Sequence, residues 1–367
     1  MTQRVLIIGG YGNFGRFIAK ELAKEHNIQL IIAGRSLYKA TSMAEEIEAH
    51  YSIEAVDLDI TQNLPASLAS INPHVVIHTS GPFQDQGYDV AKACIDQSAH
   101  YIDLADGREF VAGITTLNNR AKAKGVLLIS GASSVPCLTS ALVDDYEREF
   151  TLLESLDYGI TTAQKTTRGL ATTAAILGYT GKAFTTLLEG KVSNIFGWQG
   201  LRARKYQHLG WRLLSYCDVP DLVLFSKRYT SVKTIRFYAG LEIPFIHIVL
   251  WLLSWAVRLG VIRNLQSIAP TLLKLSFMFD WLGTDNSGFH MELKGKGSDG
   301  KEKIMVFELI ARSGDGPYIP CMPAILMTKK IINNVVTERG AYPCMGFISK
   351  DEYLHALKDL DISWLEL

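Results

Sequence analysis

Short apolar runs alternate with longer amphipathic stretches over the first 150 residues. In the stretches between the runs, residues such as Phe14, Ile18 and Leu22 recur at the three- and four-residue steps of a helix. Strands that alternate with helices form a parallel sheet that is covered on both faces. We therefore expect a doubly wound α/β sheet, with strands at 4–8, 29–33, 53–57, 75–78, 101–104 and 126–130.

The pattern changes near residue 150. Mixed α and β signals follow, with helices predicted at 169–179 and 324–336 and a helical tail at 350–360. The strands predicted for this part of the chain are 156–163, 231–238, 291–294 and 303–311. We therefore expect a doubly wound domain at 1–150, an inserted α+β domain at 151–316, and a return helix with a C-terminal tail at 317–367.

One apolar segment, at 243–257, is interrupted only by His247 and Ser254 and is followed by Arg258. A membrane-spanning helix needs about 20 apolar residues, and extending this one to Ile262 would bury an arginine. A core helix or a homodimer interface is the favoured interpretation. A helix lying in the plane of a membrane surface, and so a peripheral membrane contact, is the alternative.

Composition narrows the class of protein. With 48% apolar and 20% charged residues among 367, the chain is expected to fold, and equal numbers of basic and acidic residues give no reason to expect a nucleic-acid partner. The five cysteines are widely spaced, which disfavours disulfides and metal sites. The apolar run near the N-terminus is too short for a signal peptide, so we expect a cytoplasmic protein.

The most specific motif is a glycine-rich turn between the first strand and the first helix. Gly10, Gly12 and Gly15 satisfy the pattern G-x-G-x-x-G, which in this context is typical of dinucleotide binding. Asn13 and Phe14 begin the helix, whose free amide groups attract phosphate. A tight turn without a ligand is the alternative.

The ends of the next strands indicate which dinucleotide binds. NAD-binding sites carry an acidic residue after the second strand, but this chain has Arg35 and Ser36. A guanidinium pairs with a 2′-phosphate, so we expect NADP as the cofactor. A solvated surface arginine is the alternative. After the third strand, Asp59 is expected either to accept from the adenine amino group or to cap the following helix.

The fourth strand ends in a turn of small residues that lets a ribose and nicotinamide lie across the sheet edge. Phe83 is predicted to pack against the nicotinamide ring, although a core phenylalanine is the alternative. The cofactor-binding residues predicted for this turn are Thr79, Ser80, Gly81, Pro82 and Phe83.

These motifs, together with 100–104 and 131–136, resemble the saccharopine dehydrogenase-like oxidoreductases. The resemblance covers most of the chain, but its specific motifs lie in the first 140 residues. It implies an NADP-binding Rossmann domain and redox chemistry at the nicotinamide, and it leaves the substrate open. This chain has Cys137 where the family usually has a glycine after the proline at 136. A cysteine at a helix start can be a nucleophile, but no histidine stands out as its base, so we expect an inert side chain.

Hydride transfer often needs a group that moves a proton. The fifth strand end supplies Tyr101, Asp103 and Arg108, with Asp103 as an acid or base and Arg108 as an anion-binding group. A loop-shaping role is the alternative. Three residues of the second domain, Arg168, Trp198 and Tyr206, are expected to contact substrate. Trp198 and Tyr206 belong to a basic, aromatic stretch, for which a solvated face is the alternative.

The sequence therefore predicts an NADP(H)-dependent oxidoreductase acting on a small or lipid-like molecule. The apolar content of 239–282 favours a bulky substrate over an amino acid. One alternative is a non-catalytic NADP-binding or membrane-associated scaffold, since fold does not fix function. Another is a saccharopine dehydrogenase of lysine metabolism, which would need several arginines to hold carboxylates.

Overall fold

The computed structural model describes residues 2–84 and 86–367, which divide into two compact units. The first unit runs to Leu138 and resumes at Tyr318–Ser349, and the second comprises Thr139–Pro317 and Lys350–Leu367. The boundaries differ from those expected at 150 and 316. The helix that follows Leu138 belongs to the second unit, where its Asp144 pairs with Arg228 at 2.7 Å.

A parallel sheet forms the centre of the first unit. Its first six strands lie in the order β6-β5-β4-β1-β2-β3, and every described pairing is parallel. The strands are β1 (Gln3–Ile8), β2 (Ile28–Gly34), β3 (Glu54–Asp57), β4 (Val75–His78), β5 (His100–Asp103) and β6 (Leu127–Ser130). The helices are α1 (Asn13–Leu22), α2 (Leu37–Glu46), α3 (Leu64–Ile71), α4 (Asp89–Asp96), α5 (Arg108–Gly113) and α6 (Asn118–Ala123).

A second, mainly antiparallel sheet forms the centre of the second unit, in the order β10-β11-β12-β7-β13-β14. Its strands are β7 (Leu152–Thr162), β10 (Arg202–Tyr206), β11 (Gly210–Tyr216), β12 (Thr234–Leu241), β13 (Ser287–Lys296) and β14 (Glu302–Ala311). β8 (Ala183–Leu188) and β9 (Lys191–Phe196) form a separate hairpin. The helices are α7 (Thr139–Tyr146), α8 (Leu170–Tyr179), α9 (Asp221–Arg228), α10 (Pro244–Arg258) and α11 (Ala269–Phe277).

The last part of the chain contributes to both units. α12 (Met322–Ile332) packs on α1, and β15 (Gly340–Pro343) adds a seventh parallel strand beside β6. α13 (Lys350–Ala356) is shorter than the predicted tail helix, because the chain then forms β16 (Ile362–Glu366), which pairs with β14. The predicted fold class, a doubly wound Rossmann sheet with an additional α+β domain, is confirmed.

The core of the first unit explains why its strands can be recognised in the sequence as apolar runs. Val5, Leu6 and Ile7 of β1 are completely buried, because helices cover both faces of a parallel sheet. The return segment adds to this packing, with the rings of Phe17 and Tyr318 stacked at 4.2 Å between centroids. α1 is therefore held firmly at the carboxyl end of β1, where the glycine turn lies.

Candidate functional site

The glycine turn between β1 and α1 has no room for larger residues. A Cβ atom on Gly15 would lie 2.4 Å from the carbonyl oxygen of Gly9 and 2.7 Å from the Cα atom of Gly10. Gly9 has a φ of +80°, and a Cβ there would lie 2.6 Å from Oγ of Ser80. The turn therefore needs glycine on steric grounds, and it brings the ends of β1 and β4 into contact.

The N-terminus of α1 presents uncapped backbone. Gly12 stands at the N-cap, with φ −76° and ψ 172°, and no side chain bonds to the first turn. Gly12 and Asn13 are exposed, and Phe14 is half-buried. The first amide groups of a helix have no partner within it, so the turn offers N–H donors and a partial positive charge to an anion.

The end of β2 carries an exposed cation. Arg35 is exposed, and Ser36 caps α2 by accepting from the amide of Lys39 at 3.4 Å. Asp59 accepts from the amide and the hydroxyl of Thr61 at 2.9 and 2.8 Å. These hydrogen bonds lower the pKa of Asp59, and the charge of Arg35 adds to the effect.

The alternative interpretation, in which Asp59 caps the following helix, is wrong. The N-cap of α3 is Asn63. The Asp59 carboxylate is instead held in its own loop by Thr61, and its predicted contact with adenine stays a prediction.

The turn after β4 is fixed from two sides. Thr79 donates its hydroxyl to the carbonyl oxygens of Ile8 at 2.9 Å and Gly9 at 3.2 Å. The Gln86 amide donates to the carbonyl oxygens of Ser80 at 2.7 Å and Pro82 at 2.9 Å. Sequence reasoning did not single out Gln86, because a glutamine beyond a turn carries no signal until its contacts are known.

Phe83 is buried, at 4% exposure. Its ring lies edge-on to His78 with centroids 5.1 Å apart, and against Phe110 at 5.3 Å. This burial is what the alternative of a core phenylalanine expects. A contact of Phe83 with nicotinamide stays a prediction.

Asp103 joins the ends of β5 and β6. Its side chain is completely buried, and Oδ1 accepts from the amides of Ala105 at 2.9 Å and Gly131 at 2.8 Å and from the Ser130 hydroxyl at 3.0 Å. Burial raises the pKa of Asp103 to about 6, although these hydrogen bonds oppose the shift. The carboxyl group therefore organises the loops at the sheet edge and titrates close to neutral pH.

Tyr101 is also completely buried, and its hydroxyl lies 3.2 Å from Nδ1 of His78. Burial raises the pKa of Tyr101 well above its usual value and lowers the pKa of His78 to about 4. His78 is therefore neutral at pH 7, and sequence reasoning had assigned it no role. Arg108, the first residue of α5, is 9% exposed.

The three candidate substrate residues of the second unit contact different elements. Arg168 pairs with Asp280 and lies over the Phe277 ring at 4.5 Å. Trp198 is 1% exposed and packs against His247 of α10. Tyr206 is fully buried, with its hydroxyl 2.8 Å from Nδ1 of His290 on β13. Their predicted contact with substrate stays a prediction.

The first unit has the features that NADP needs. The glycine cradle and the open N-terminus of α1 suit a pyrophosphate, and the exposed Arg35 suits a 2′-phosphate. The Tyr11 ring lies directly against Gly34, since a Cβ there would be 2.6 Å from it. Tyr11, which sequence reasoning passed over, therefore lies between the glycine turn and the end of β2.

Comparison with known proteins agrees with this geometry. Residues 5–129 match the family model of the saccharopine dehydrogenase NADP binding domain. The matched residues lie within the first unit, which is therefore similar to that NADP-binding domain. The predicted family resemblance and NADP as the cofactor of this domain are thereby confirmed.

Curated relatives extend the resemblance. The saccharopine dehydrogenase-like oxidoreductases of Bos taurus and Homo sapiens are each 28% identical over 151 residues, which is 36% of this chain. The match spans 35% of the length of each relative. The sequence similarity therefore covers little more than a third of this chain and of each relative.

A solved structure resembles the whole fold. The saccharopine dehydrogenase (L-Glu forming) from Saccharomyces cerevisiae has a TM-score of 0.67 with 14% identity, and the match covers 100% of both chains. At this identity the similarity shows the fold alone. The second unit therefore shares its architecture with a dehydrogenase, although few of its residues are identical to those of that enzyme.

The described residues also bear on a cysteine nucleophile, a metal site and a membrane-spanning helix. Cys137 is 2% exposed, which accords with the expected inert side chain. Among residues 2–84 and 86–367, no three His, Cys, Asp or Glu side chains are grouped as metal ligands. Within the same residues, no helix combines the length and the apolar character needed to cross a bilayer.

Proposed function

We propose that the protein is an NADP(H)-dependent oxidoreductase. One observation carries the proposal: the glycine cradle at the N-terminus of α1 stands beside an exposed arginine at the end of β2, where an NAD site would have an acidic residue. The relatives, which are named as oxidoreductases, support a redox reaction.

The proposed cofactor contacts follow from this arrangement. The backbone of the glycine turn holds the pyrophosphate, Arg35 and Ser36 hold the 2′-phosphate, and the turn after β4 lies beside the nicotinamide ribose. When bound, NADP(H) supplies or accepts the hydride. The glycine turn and helix start comprise Gly10, Gly12, Asn13, Phe14 and Gly15, Asp59 lies on the adenine side, and the turn after β4 comprises Thr79, Ser80, Gly81, Pro82 and Phe83.

Asp103, Tyr101 and Arg108 remain the candidates for the chemical step. The burial of Asp103 and Tyr101 supports a role in holding the loops at the sheet edge. The pKa of Asp103, near 6, also suits proton uptake close to neutral pH. We propose that Asp103 positions the loop after β5 and that Arg108, at its end, binds an anionic part of the substrate.

The proposed substrate is a small or lipid-like carbonyl or alkene compound. The apolar content of the second unit around α10 and α11 supports it. The test is NADPH oxidation by the purified protein over a panel of hydrophobic aldehydes, ketones, enones and saccharopine-type amino acids. We expect turnover of hydrophobic members.

Turnover of the amino acids alone would favour a lysine-pathway enzyme. Tight NADPH binding without turnover of any member would favour the non-catalytic scaffold. A homodimer through the apolar helix is the alternative to a membrane contact at that surface, and sedimentation velocity tests it.

A further inference from the structure

The helix α10 buries polar side chains and exposes apolar ones. Among its fifteen residues the buried ones are the polar His247 and Ser254, whereas Val249 and Leu252 are 50% and 55% exposed. Nε2 of His247 lies 2.9 Å from the Ser215 hydroxyl, so the polar side of the helix is anchored to the unit. A helix on the surface of a water-soluble protein normally has the opposite arrangement.

The apolar exposure continues beyond α10. Leu259 and Val261 are 72% and 77% exposed, and Met278 and Trp281 after α11 are 66% and 75% exposed. α10 and α11 share one hydrophobic cluster with α8, so these side chains belong to one packed layer. We call their outward side the apolar face: the exposed residues of α10, 259–261, α11 and 278–282. Soluble monomers rarely expose contiguous apolar patches larger than a few hundred Å².

The charge on the apolar face is positive. Residues 243–279 contain neither Asp nor Glu, and within the described chain the exposed Arg263 and Lys274 form no ion pair. Asp280 follows, but its carboxylate accepts from Gln164 at 3.0 Å and pairs with Arg168. The uncompensated charges beside the apolar side chains are therefore cationic.

We propose that the apolar face docks in the plane of an anionic lipid bilayer. A helix of fifteen residues is about 22 Å long at 1.5 Å per residue, less than the roughly 30 Å of a hydrocarbon core. Lys274 is exposed on α11, and the exposed Trp255 and Trp281 belong to the residue type that concentrates at membrane–water interfaces.

A second copy of the chain fits this face less well. In a twofold interface the same surface meets itself, so the cationic Arg263 and Lys274 of one copy would face the equally cationic surface of the other. The face offers no free carboxylate from 243–279 to compensate them, and like charges in an interface oppose association. Anionic lipid headgroups supply the missing negative charge.

The test is co-sedimentation of the full chain with vesicles of phosphatidylcholine, with and without phosphatidylglycerol. We expect binding to the anionic vesicles, a blue shift of tryptophan emission, and weaker binding to the neutral vesicles. The variant V249D/L252D should reduce binding by about tenfold or more, since it places charge in the acyl region. Lys274→Glu and Arg263→Glu should each reduce binding to anionic vesicles by at least about fivefold.

Val192→Asp is the matched control. Val192 is 76% exposed on β9 of the same unit but lies outside the apolar face, so its replacement should leave vesicle binding unchanged. Circular dichroism and an unchanged thermal midpoint show that each variant is folded, and these readouts do not depend on the proposed function. NADPH binding, which uses the first unit, is measured separately and distinguishes a failure of the proposed function from a failure of this proposal. The proposal is overturned if neither vesicle binds, if Val192→Asp causes the same loss, or if the face instead forms a dimer that V249D/L252D dissociates.

Discussion

Asp103 shows how a residue chosen for chemistry can also hold the structure. The sequence placed a carboxylate at the end of β5, and the structure places it out of contact with solvent, bonded to the backbone of two loops. A buried carboxyl resists ionisation because its charged form loses hydration. Folding therefore favours the protonated form of Asp103.

Asp103→Asn tests this account at the level of one side chain. The pKa of Asp103 is raised in the folded protein to about 6 from 3.8, so its stabilising contribution is complete below about pH 4 and is lost as the pH rises through 6. The asparagine still accepts from Ala105 and Gly131. Relative to the native protein, the variant should gain up to about 3 kcal/mol of unfolding free energy between pH 4 and 7.

Urea unfolding at several pH values measures this difference. Asp89→Asn, at a side chain that is 85% exposed, should change stability by no more than about 0.5 kcal/mol throughout. A pH-independent difference for Asp103→Asn would mean that the carboxyl is already ionised at pH 4 in the folded protein.

Some site residues were predictable from sequence and others were not. Gly15 was predictable because its position excludes every side chain. Gln86 and His78 were not, because their contacts with the turn after β4 and with Tyr101 arise only from tertiary structure. Tyr206 resembled a surface residue in a basic stretch, but its hydroxyl meets His290 on a strand 84 residues away.

Among the elements, the first six strands of the first unit were predicted to within a residue or two, because most of them are apolar runs buried on both faces of the sheet. The seventh strand, β15, was not predicted. β10 was missed because two of its five residues are arginines, so it has no apolar run that would predict a strand. Those arginines are satisfied across the sheet: Arg202 pairs with Asp157 at 2.8 Å and Arg204 with Glu292 at 3.6 Å. β16 was missed because its five residues include the polar Ser363 and Glu366 and give no clear apolar run.

Deletion of residues 362–367 tests the role of β16. This strand pairs with Phe307–Ala311 of β14 and forms the edge of the second sheet. Its removal exposes the hydrogen-bonding groups of β14, so we expect a lower thermal midpoint and aggregation at high protein concentration. Calorimetry and size-exclusion chromatography measure both.

The doubled substitution S363A/E366A, which keeps the backbone pairing, is the control. It should have a much smaller effect than the deletion. An unchanged thermal midpoint for the deleted chain would show that β16 contributes little to the second unit.

Buried histidines dominate the expected acid response of the whole molecule. Burial is the leading cause that lowers the pKa of four of them to about 4: His78, His100, His247 and His290. The buried carboxyls of Asp103 and Asp221 act in the opposite direction, with pKa values raised to about 6 and 7. The four imidazoles outweigh the two carboxyls.

Stability should therefore fall as the pH decreases from about 6.5 to 4. In this range the histidines are protonated in the unfolded chain but stay neutral when buried in the folded protein. Each histidine therefore lowers the free energy of unfolding by up to about 3 kcal/mol as the pH falls. The urea midpoint at pH 5 should be lower than at pH 7, and His247→Gln should reduce the difference. A urea midpoint that rises as the pH is lowered would contradict the predicted direction of this pH dependence.

The measurement that tests the central claim most directly is a titration of the purified protein with NADPH and with NADH, followed by nicotinamide fluorescence. We expect a clear preference for NADPH. Arg35→Ala should weaken NADPH binding by about tenfold to a hundredfold, the value of a charge-assisted contact, while NADH binding stays the same and the control Arg120→Ala changes neither. Equal affinity for the two dinucleotides, or no binding, would contradict the proposed NADP site.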